Sequence, residues 1–148
     1  KLFKRWATAT GMESFFIEKM EIKTPEKTLR GRDEIARGED RYEWTWIHGG
    51  DTYGRILNVE NNKLLAFTFG ESEVHVRFIA HEDGTWLHIE QTKIPTYPTA
   101  MAGIHLNCRA GWTYFATVVK ALEENGIDIR DKNPKTAGSL AWLMGFPS

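Results

Sequence analysis

The chain has 148 residues, of which 41% are hydrophobic and 26% charged, and its 19 basic side chains nearly balance 20 acidic ones. This length and composition are typical of one globular domain and exclude a disordered or collagen-like chain. Because the net charge is close to zero, no basic field attracts a phosphate backbone, and we expect no nucleic-acid partner.

The first predicted element is a helix whose apolar residues share one stripe: Leu2, Phe3, Trp6 and Ala7. A break at Gly11 is followed by apolar residues up to Phe16, which fit either a second short helical turn or the start of a strand. Residues 17–39 are mostly polar and irregular, apart from a brief strand-like alternation at Met20 and Ile22.

Between Arg41 and Lys93, apolar and polar residues alternate in about five short runs, the pattern of half-buried strands. The runs are separated by turn residues, at Gly49-Gly50, Asn61-Asn62, Gly70-Glu71-Ser72 and Asp83-Gly84. Such short connections leave no room for crossover helices, so consecutive strands must pair antiparallel. We therefore predict a curved antiparallel meander.

After a mixed connector at residues 96–106, the apolar residues repeat with a helical period. They share one helix face, formed by Trp112, Phe115, Ala116, Val119 and Leu122. Asn107 is the predicted N-cap, and Asn125-Gly126 predicts that the helix ends with a residue in the left-handed backbone conformation. The fold class is thus α+β: a curved antiparallel sheet with a long C-terminal helix packed across it.

The whole chain, 1–148, is interpreted as a single domain with a core at 1–127 and a tail at 128–148. Arg130-Asp131-Lys132 has the mixed charge of an exposed loop. Apolar residues then return at residues 140–146, and this segment must be covered by its own domain or by a second copy in a homodimer.

The sequence contains one cysteine, Cys108, so no intramolecular disulfide can form. A single thiol fits a reducing compartment, and we expect a cytoplasmic location. No secretory signal is found, and no apolar run approaches the ~18 residues of a membrane span, so we expect no such span.

No catalytic or metal-binding motif stands out. His88 and Glu90 have a chelating spacing, with His75 and His81 on the neighbouring predicted strand, but alternation turns His88 and Glu90 toward water. Cys108 has apolar neighbours and is interpreted as an unreactive buried thiol. Since nucleophile elbows and phosphate loops are absent too, we predict no catalytic residue, metal or cofactor.

Aromatic residues are the unusual feature, with six Trp, four Tyr and eight Phe. The strand faces expected to point at the helix carry Tyr42, Trp44, Trp46, Phe67 and Phe69. Together with Trp112 and Phe115 on the helix, these rings either fill the core completely or border a cavity. The sequence leaves both interpretations open.

Three short features carry a family resemblance. They are the Gly84-Thr85 hairpin followed by a Leu-x-Ile-x-Gln strand, the Gly111-Trp112 opening of the last helix, and its Leu-Glu-x-x-Gly close at residues 122–126. With the order of elements, they resemble the START-like, helix-grip (SRPBCC) superfamily over residues 1–127, particularly the branch similar to the activator of Hsp90 ATPase. That family has a strand before its first helix, so we expect one to be missing here, leaving an exposed sheet edge.

The resemblance implies a helix-grip fold, in which two short N-terminal helices come first and the curved sheet wraps around the long C-terminal helix. It also implies a cavity between sheet and helix that holds apolar molecules such as lipids, sterols or polyketides. The residues predicted to line it are Tyr42, Trp44, Trp46, Phe67, Phe78, Leu87, Ile89, Gln91, Trp112 and Phe115. Gln91 would be the polar group that orients a ligand.

The predicted function is binding of an apolar or aromatic small molecule without covalent catalysis. One alternative is an enzyme similar to polyketide cyclases or aromatases, whose proton-transfer candidates are Tyr42, Gln91, His105 and Tyr114. Another is a co-chaperone or protein-interaction domain like the Hsp90 activator, which rests on family analogy alone.

Overall fold

The computed structural model describes residues 1–133, which form two short helices, a meander and a long final helix. The first eight elements are α1 (Leu2–Ala7), α2 (Ala9–Glu13), β1 (Lys19–Lys23), β2 (Arg41–Thr45), β3 (Asp51–Glu60), β4 (Leu64–Phe69), β5 (Ser72–His81) and β6 (Gly84–Thr92). None of the helices in residues 1–133 combines the length and the apolar composition of a membrane span.

The six strands form one sheet in the order β1-β2-β3-β4-β5-β6, and every neighbouring pair is antiparallel. The predicted meander is confirmed. The brief alternation at Met20 and Ile22 proves to be an additional strand, β1, in which Met20 pairs with Trp44 of β2. Among the described strands, β1 and β6 lie at the two edges of the sheet.

Alternation decides which face of each strand is buried. In β5, Val74, Val76 and Phe78 are buried, while the residues between them are partly exposed. The buried face of the sheet packs against α1, α2 and the final helix, with Phe3, Trp6 and Phe15 contributing from the N-terminal segment. Burial of these large side chains removes the most apolar area from water and therefore dominates the stability of the domain.

The final helix starts earlier than the sequence indicated. A short α-helical piece, α3 (Pro98–Ala100), continues through a π-helical turn, Met101–His105, into α4 (Leu106–Asn125). The predicted connector at 96–106 and the predicted N-cap at Asn107 are therefore wrong. Pro98 fits the first helical turn because its missing N–H would be unpaired there, whereas Asn107 lies inside a helix that is already formed.

The predicted end of the helix is confirmed. Gly126 has φ of 70° and its N–H donates to the Leu122 carbonyl over 3.0 Å. A left-handed residue at this position suits glycine, which has no Cβ to clash. The buried residues of α4 are Val118 and Val119, and Trp112, Phe115 and Leu122 are half-buried against the core.

Residues after the helix return to the N-terminal segment through Arg130. Its guanidinium donates to both Asp128 carboxylate oxygens over 2.8 and 2.7 Å. It also donates to the carbonyls of Ile17 over 3.1 Å and Glu13 over 3.0 Å. We call these contacts the Arg130 anchor. The exposed loop predicted here is wrong for Arg130. Asp128 neutralises its charge, and the carbonyls of Glu13, at the end of α2, and of Ile17 each accept a hydrogen bond from it.

The apolar residues 140–146 lie outside the described residues. Their packing against the domain or against a second copy stays a prediction. The missing strand expected before α1 and the cytoplasmic location also stay predictions.

Candidate functional site

The site is organised around Phe16, which lies between α2 and β1 and is only 2% exposed. Its ring stacks almost parallel to that of Trp112, with centroids 5.6 Å apart and planes at 6°. Phe115 meets it edge-on at 4.4 Å, and Trp46 does so at 5.3 Å. Phe16 therefore joins the helix to the sheet through contacts between aromatic rings.

Beside these rings is an open pocket of about 300 Å³. Its lining residues, among those described, are Phe16, Trp46, Phe69, Asn107, Cys108, Gly111, Trp112 and Phe115. We call it the ring pocket. Its exposed wall is wholly apolar.

Two parts of the chain build the ring pocket by simple periodicity. Cys108, Trp112 and Phe115 are spaced four and three residues apart, so α4 presents them on one face. Phe69 ends β4, and Trp46 follows β2 directly. Both point to the concave side of the sheet because alternate residues of a strand share a face.

Both tryptophans of the ring pocket have their indole N–H groups occupied by protein partners. Trp46 Nε1 donates to Thr52 Oγ1 over 2.9 Å. Trp112 Nε1 donates to Gln91 Oε1 over 2.7 Å. The two indoles therefore present ring carbon atoms to the pocket and no free hydrogen-bond donor, which explains why the wall is apolar.

A chain of hydrogen bonds behind the wall connects two of the rings. From Trp112 it passes to Gln91, whose Nε2 donates to Ser72 Oγ over 2.7 Å. Ser72 Oγ then donates to the Phe69 carbonyl over 2.6 Å. We call this chain the polar brace. It fixes the Trp112 side chain relative to the β4–β5 turn without exposing a polar atom to the pocket.

Cys108 is the one titratable side chain in the described lining. Burial raises the pKa of its thiol, and a hydrogen bond with Gln91 only partly opposes that rise. The thiol is therefore protonated at neutral pH and is a poor nucleophile. The chemistry that this lining offers is contact with apolar and aromatic surfaces.

Of the residues predicted to line a cavity, three come together here: Trp46, Trp112 and Phe115. Gln91 lies behind Trp112 in the polar brace. It positions a ring of the wall, and its carboxamide is already bonded at both ends.

Three other predicted residues form the layer of rings beneath the pocket: Tyr42, Trp44 and Phe67. Tyr42 stacks on Trp44 with centroids 4.3 Å apart, and its hydroxyl donates to the Thr68 carbonyl. Gly54 makes room for this arrangement, since a Cβ there would come within 2.4 Å of the Tyr42 ring. These rings are buried support for the wall.

The last three predicted residues lie farther along the core. Phe78 packs edge-on against Phe3, with centroids 5.3 Å apart. Leu87 borders a separate groove beside α4, together with Leu2 and Val119. Ile89 packs at the rim of the core. A ligand contact of these residues stays a prediction.

The sequence did not single out Phe16, Phe69, Cys108 and Gly111 as site residues. The helical spacing of Cys108 and Trp112 was available as a signal, and Phe69 lies on the strand face already recognised. Phe16 carried no such signal, because the apolar residues around it fit both a short helical turn and the start of a strand.

None of the candidates for proton transfer is in the described lining of the ring pocket: Tyr42, Gln91, His105 and Tyr114. Burial raises the pKa of both tyrosines, so each stays protonated at neutral pH. Over residues 1–133, no three His, Cys, Asp or Glu side chains are grouped to hold a metal ion. His88 and Glu90 are exposed, as alternation indicated.

Comparison with known proteins identifies a family and two similar structures that cover most of the chain. The family model described as Activator of Hsp90 ATPase homolog 1-like protein matches residues 1–124. The crystal structure of protein SSP2350 from Staphylococcus saprophyticus is similar, with 20% identity and a TM-score of 0.68 over 87% of this chain and 85% of that one. The solution structure of Bacillus halodurans protein BH1534 has 17% identity and a TM-score of 0.56, over 78% and 80% of the two chains. No curated protein matches the sequence significantly.

Proposed function

The chain belongs to the Activator of Hsp90 ATPase homolog 1-like family, and we propose that it binds an uncharged, flat, apolar small molecule in the ring pocket without covalent catalysis. One observation carries the proposal. Five aromatic side chains and no exposed polar atom border an open space of about 300 Å³. Pockets of this size and composition are typical of small-molecule sites.

The wall specifies the chemistry of the ligand. A charged or strongly polar group would lose its hydration in the ring pocket and gain no partner, which costs several kcal/mol, about 2–7 for a neutral polar group. A flat ring can extend the Phe16–Trp112 stack or meet Phe115 edge-on, the two arrangements that aromatic pairs favour. The proposed ligand is therefore neutral and at least partly aromatic.

The same wall favours a binding protein over a cyclase. General acid–base catalysis needs a titratable group within hydrogen-bond reach of the reacting atom. Cys108 is the titratable group of the described lining, and its raised pKa works against a role as base or nucleophile. A co-chaperone role rests on the family description and has no further support from the site.

Binding of N-phenyl-1-naphthylamine to the full chain tests the proposal. This neutral, flat fluorophore brightens in apolar surroundings, so a titration gives its dissociation constant. Replacing Cys108 by Phe adds a ring inside the ring pocket, and we expect the affinity to fall at least about tenfold. The matched control is Thr113→Phe, which adds the same ring to the exposed face of α4.

The proposal requires the unmodified chain and the Thr113→Phe chain to bind alike and the Cys108→Phe chain to bind more weakly. Equal binding by all three chains would place the probe elsewhere and overturn the proposal. So would absence of binding to the unmodified chain at concentrations up to the solubility limit of the probe.

A further inference from the structure

We propose that the ligand of the ring pocket is an aromatic ketone, whose carbonyl oxygen accepts a hydrogen bond from the buried indole N–H of Trp44. The proposal rests on the binding function proposed above and specifies the chemical class of the ligand.

Trp44 holds a hydrogen-bond donor that the described part of the protein does not use. The residue is 1% exposed, and its Nε1 has no hydrogen-bond partner among residues 1–133. An unpaired N–H group buried away from water is unfavourable. An acceptor that reaches Trp44 Nε1 therefore gains a hydrogen bond without breaking another one.

The hydroxyl groups that neighbour Trp44 in the sheet are engaged elsewhere. Thr52 pairs with Trp44 in the register of β2 and β3, and its hydroxyl oxygen accepts from Trp46 Nε1. Tyr42 stacks on Trp44, but its hydroxyl donates to the Thr68 carbonyl. Neither hydroxyl accepts from Trp44, so the donor remains available to a ligand.

Trp44 lies directly against the wall of the ring pocket. Its ring centroid is 5.3 Å from that of Phe16, 5.8 Å from that of Trp46 and 6.1 Å from that of Phe69. All three of these residues line the pocket. Trp46 follows Trp44 by two positions, and alternate residues of a strand share a face, so Trp44 continues the concave wall inward.

A ligand reaches Trp44 when one ring of the wall turns aside, and the structure favours Phe69 for this step. Phe16 is only 2% exposed, and Trp46 is held by its hydrogen bond to Thr52. Phe69 is half-buried at the end of β4, and its ring borders the open space of the pocket. Its side chain can change rotamer into that space while the backbone stays in place.

The available donor and the apolar wall together define the ligand class. An indole N–H only donates, so the ligand atom that meets it must be an acceptor. The exposed wall of the ring pocket has no polar atom, so a second polar group on the ligand would have no partner there. A flat aromatic frame with one carbonyl group meets both conditions, whereas a plain hydrocarbon leaves the Trp44 donor unpaired.

Fluorenone and fluorene test the proposal as a matched pair, since a carbonyl group in one replaces a methylene group in the other on the same flat frame. Displacement of N-phenyl-1-naphthylamine from the full chain gives both affinities. In a wholly apolar site fluorenone would be the weaker ligand, because its carbonyl loses hydration. With the hydrogen bond to Trp44, we expect fluorenone to bind about three- to tenfold more tightly than fluorene.

Two variants assign the preference to its donor. Trp44→Phe keeps a ring but removes the N–H, and we expect it to bind fluorene more tightly than fluorenone. Trp6→Phe is the matched control, because Trp6 is also 1% exposed with an unpartnered Nε1, and it should keep the preference for fluorenone. The ratio of the two affinities is the readout, so a general weakening of the pocket does not imitate the result.

Indole N–H resonances of the unmodified chain provide a measurement that does not depend on folding of the variants. Fluorenone should move the Trp44 signal downfield, and fluorene should not. Fluorene binding at least as tight as fluorenone binding would overturn the ketone proposal and leave the binding function in place. A preference that persists in Trp44→Phe, or a Trp44 signal that fluorenone does not move, would overturn it too. Absence of binding by both compounds would overturn both proposals.

Discussion

Replacement of Arg130 by Met tests whether the tail is part of the folded domain. Methionine keeps an unbranched apolar side chain but removes the charge and all the N–H donors. The change leaves the buried Ile17 carbonyl and the partly buried Glu13 carbonyl without the guanidinium. Each unsatisfied buried group costs about 1–3 kcal/mol, and Asp128 keeps Lys132 as a partner, so we expect a loss of about 2–4 kcal/mol.

Urea denaturation followed by tryptophan fluorescence measures this loss as a lower midpoint at unchanged slope. Lys132→Met is the matched control, since Lys132 is exposed and makes one ion pair with Asp128 over 2.8 Å. An exposed pair of this kind contributes about 0–1 kcal/mol. If Arg130→Met destabilised the protein no more than Lys132→Met, the Arg130 anchor would not hold the tail to the domain.

Two further predictions concern the polar contacts around the site. Gln91→Met, measured in the same denaturation, should cost about 1–3 kcal/mol because the Trp112 N–H loses its acceptor, and probe binding should weaken as the ring loosens. For Asp128, burial raises the carboxyl pKa, but hydrogen bonds from Arg130 and Lys132 outweigh it and hold the pKa below its usual range. Asp128 therefore contributes stability above pH of about 4, and this contribution is lost as the pH falls further toward the folded-state pKa. Arg130→Met should reduce that acid sensitivity in midpoints measured from pH 6 downward, and an unchanged pH profile would contradict the assignment.

Most of the sheet and the end of the helix were predictable because they depend on local rules. Strict alternation of apolar and polar residues defined β5, and the spacing of Leu65, Phe67 and Phe69 defined β4. Short turns forced antiparallel pairing between neighbours. The Asn125-Gly126 pair predicted the helix end because few residues other than glycine adopt the left-handed backbone conformation found there. The helix start was missed, since Pro98 and Gly103 resemble a loop in sequence while the backbone there is already helical.

The candidate site was only partly predictable because it depends on convergence of distant segments. Trp46, Trp112 and Phe115 followed from periodicity, but Phe16 lies in an irregular segment whose direction is set by its neighbours in space. Arg130 shows the limit of composition as a guide. A charged residue in a polar stretch is normally predicted to be exposed. The two backbone carbonyls that accept hydrogen bonds from its guanidinium belong to residues more than 100 positions earlier, so the local sequence does not predict its burial.

The indole N–H resonances of the full chain offer the most direct test of ligand binding at the ring pocket. In a titration with N-phenyl-1-naphthylamine followed by nitrogen–proton correlation spectra, we expect the signals of Trp46 and Trp112 to shift together and to saturate. Trp86 is 64% exposed on β6 and outside the described lining, so its signal should stay in place. Shifts confined to Trp86, or no shift of Trp46 and Trp112 while the probe brightens, would contradict the account.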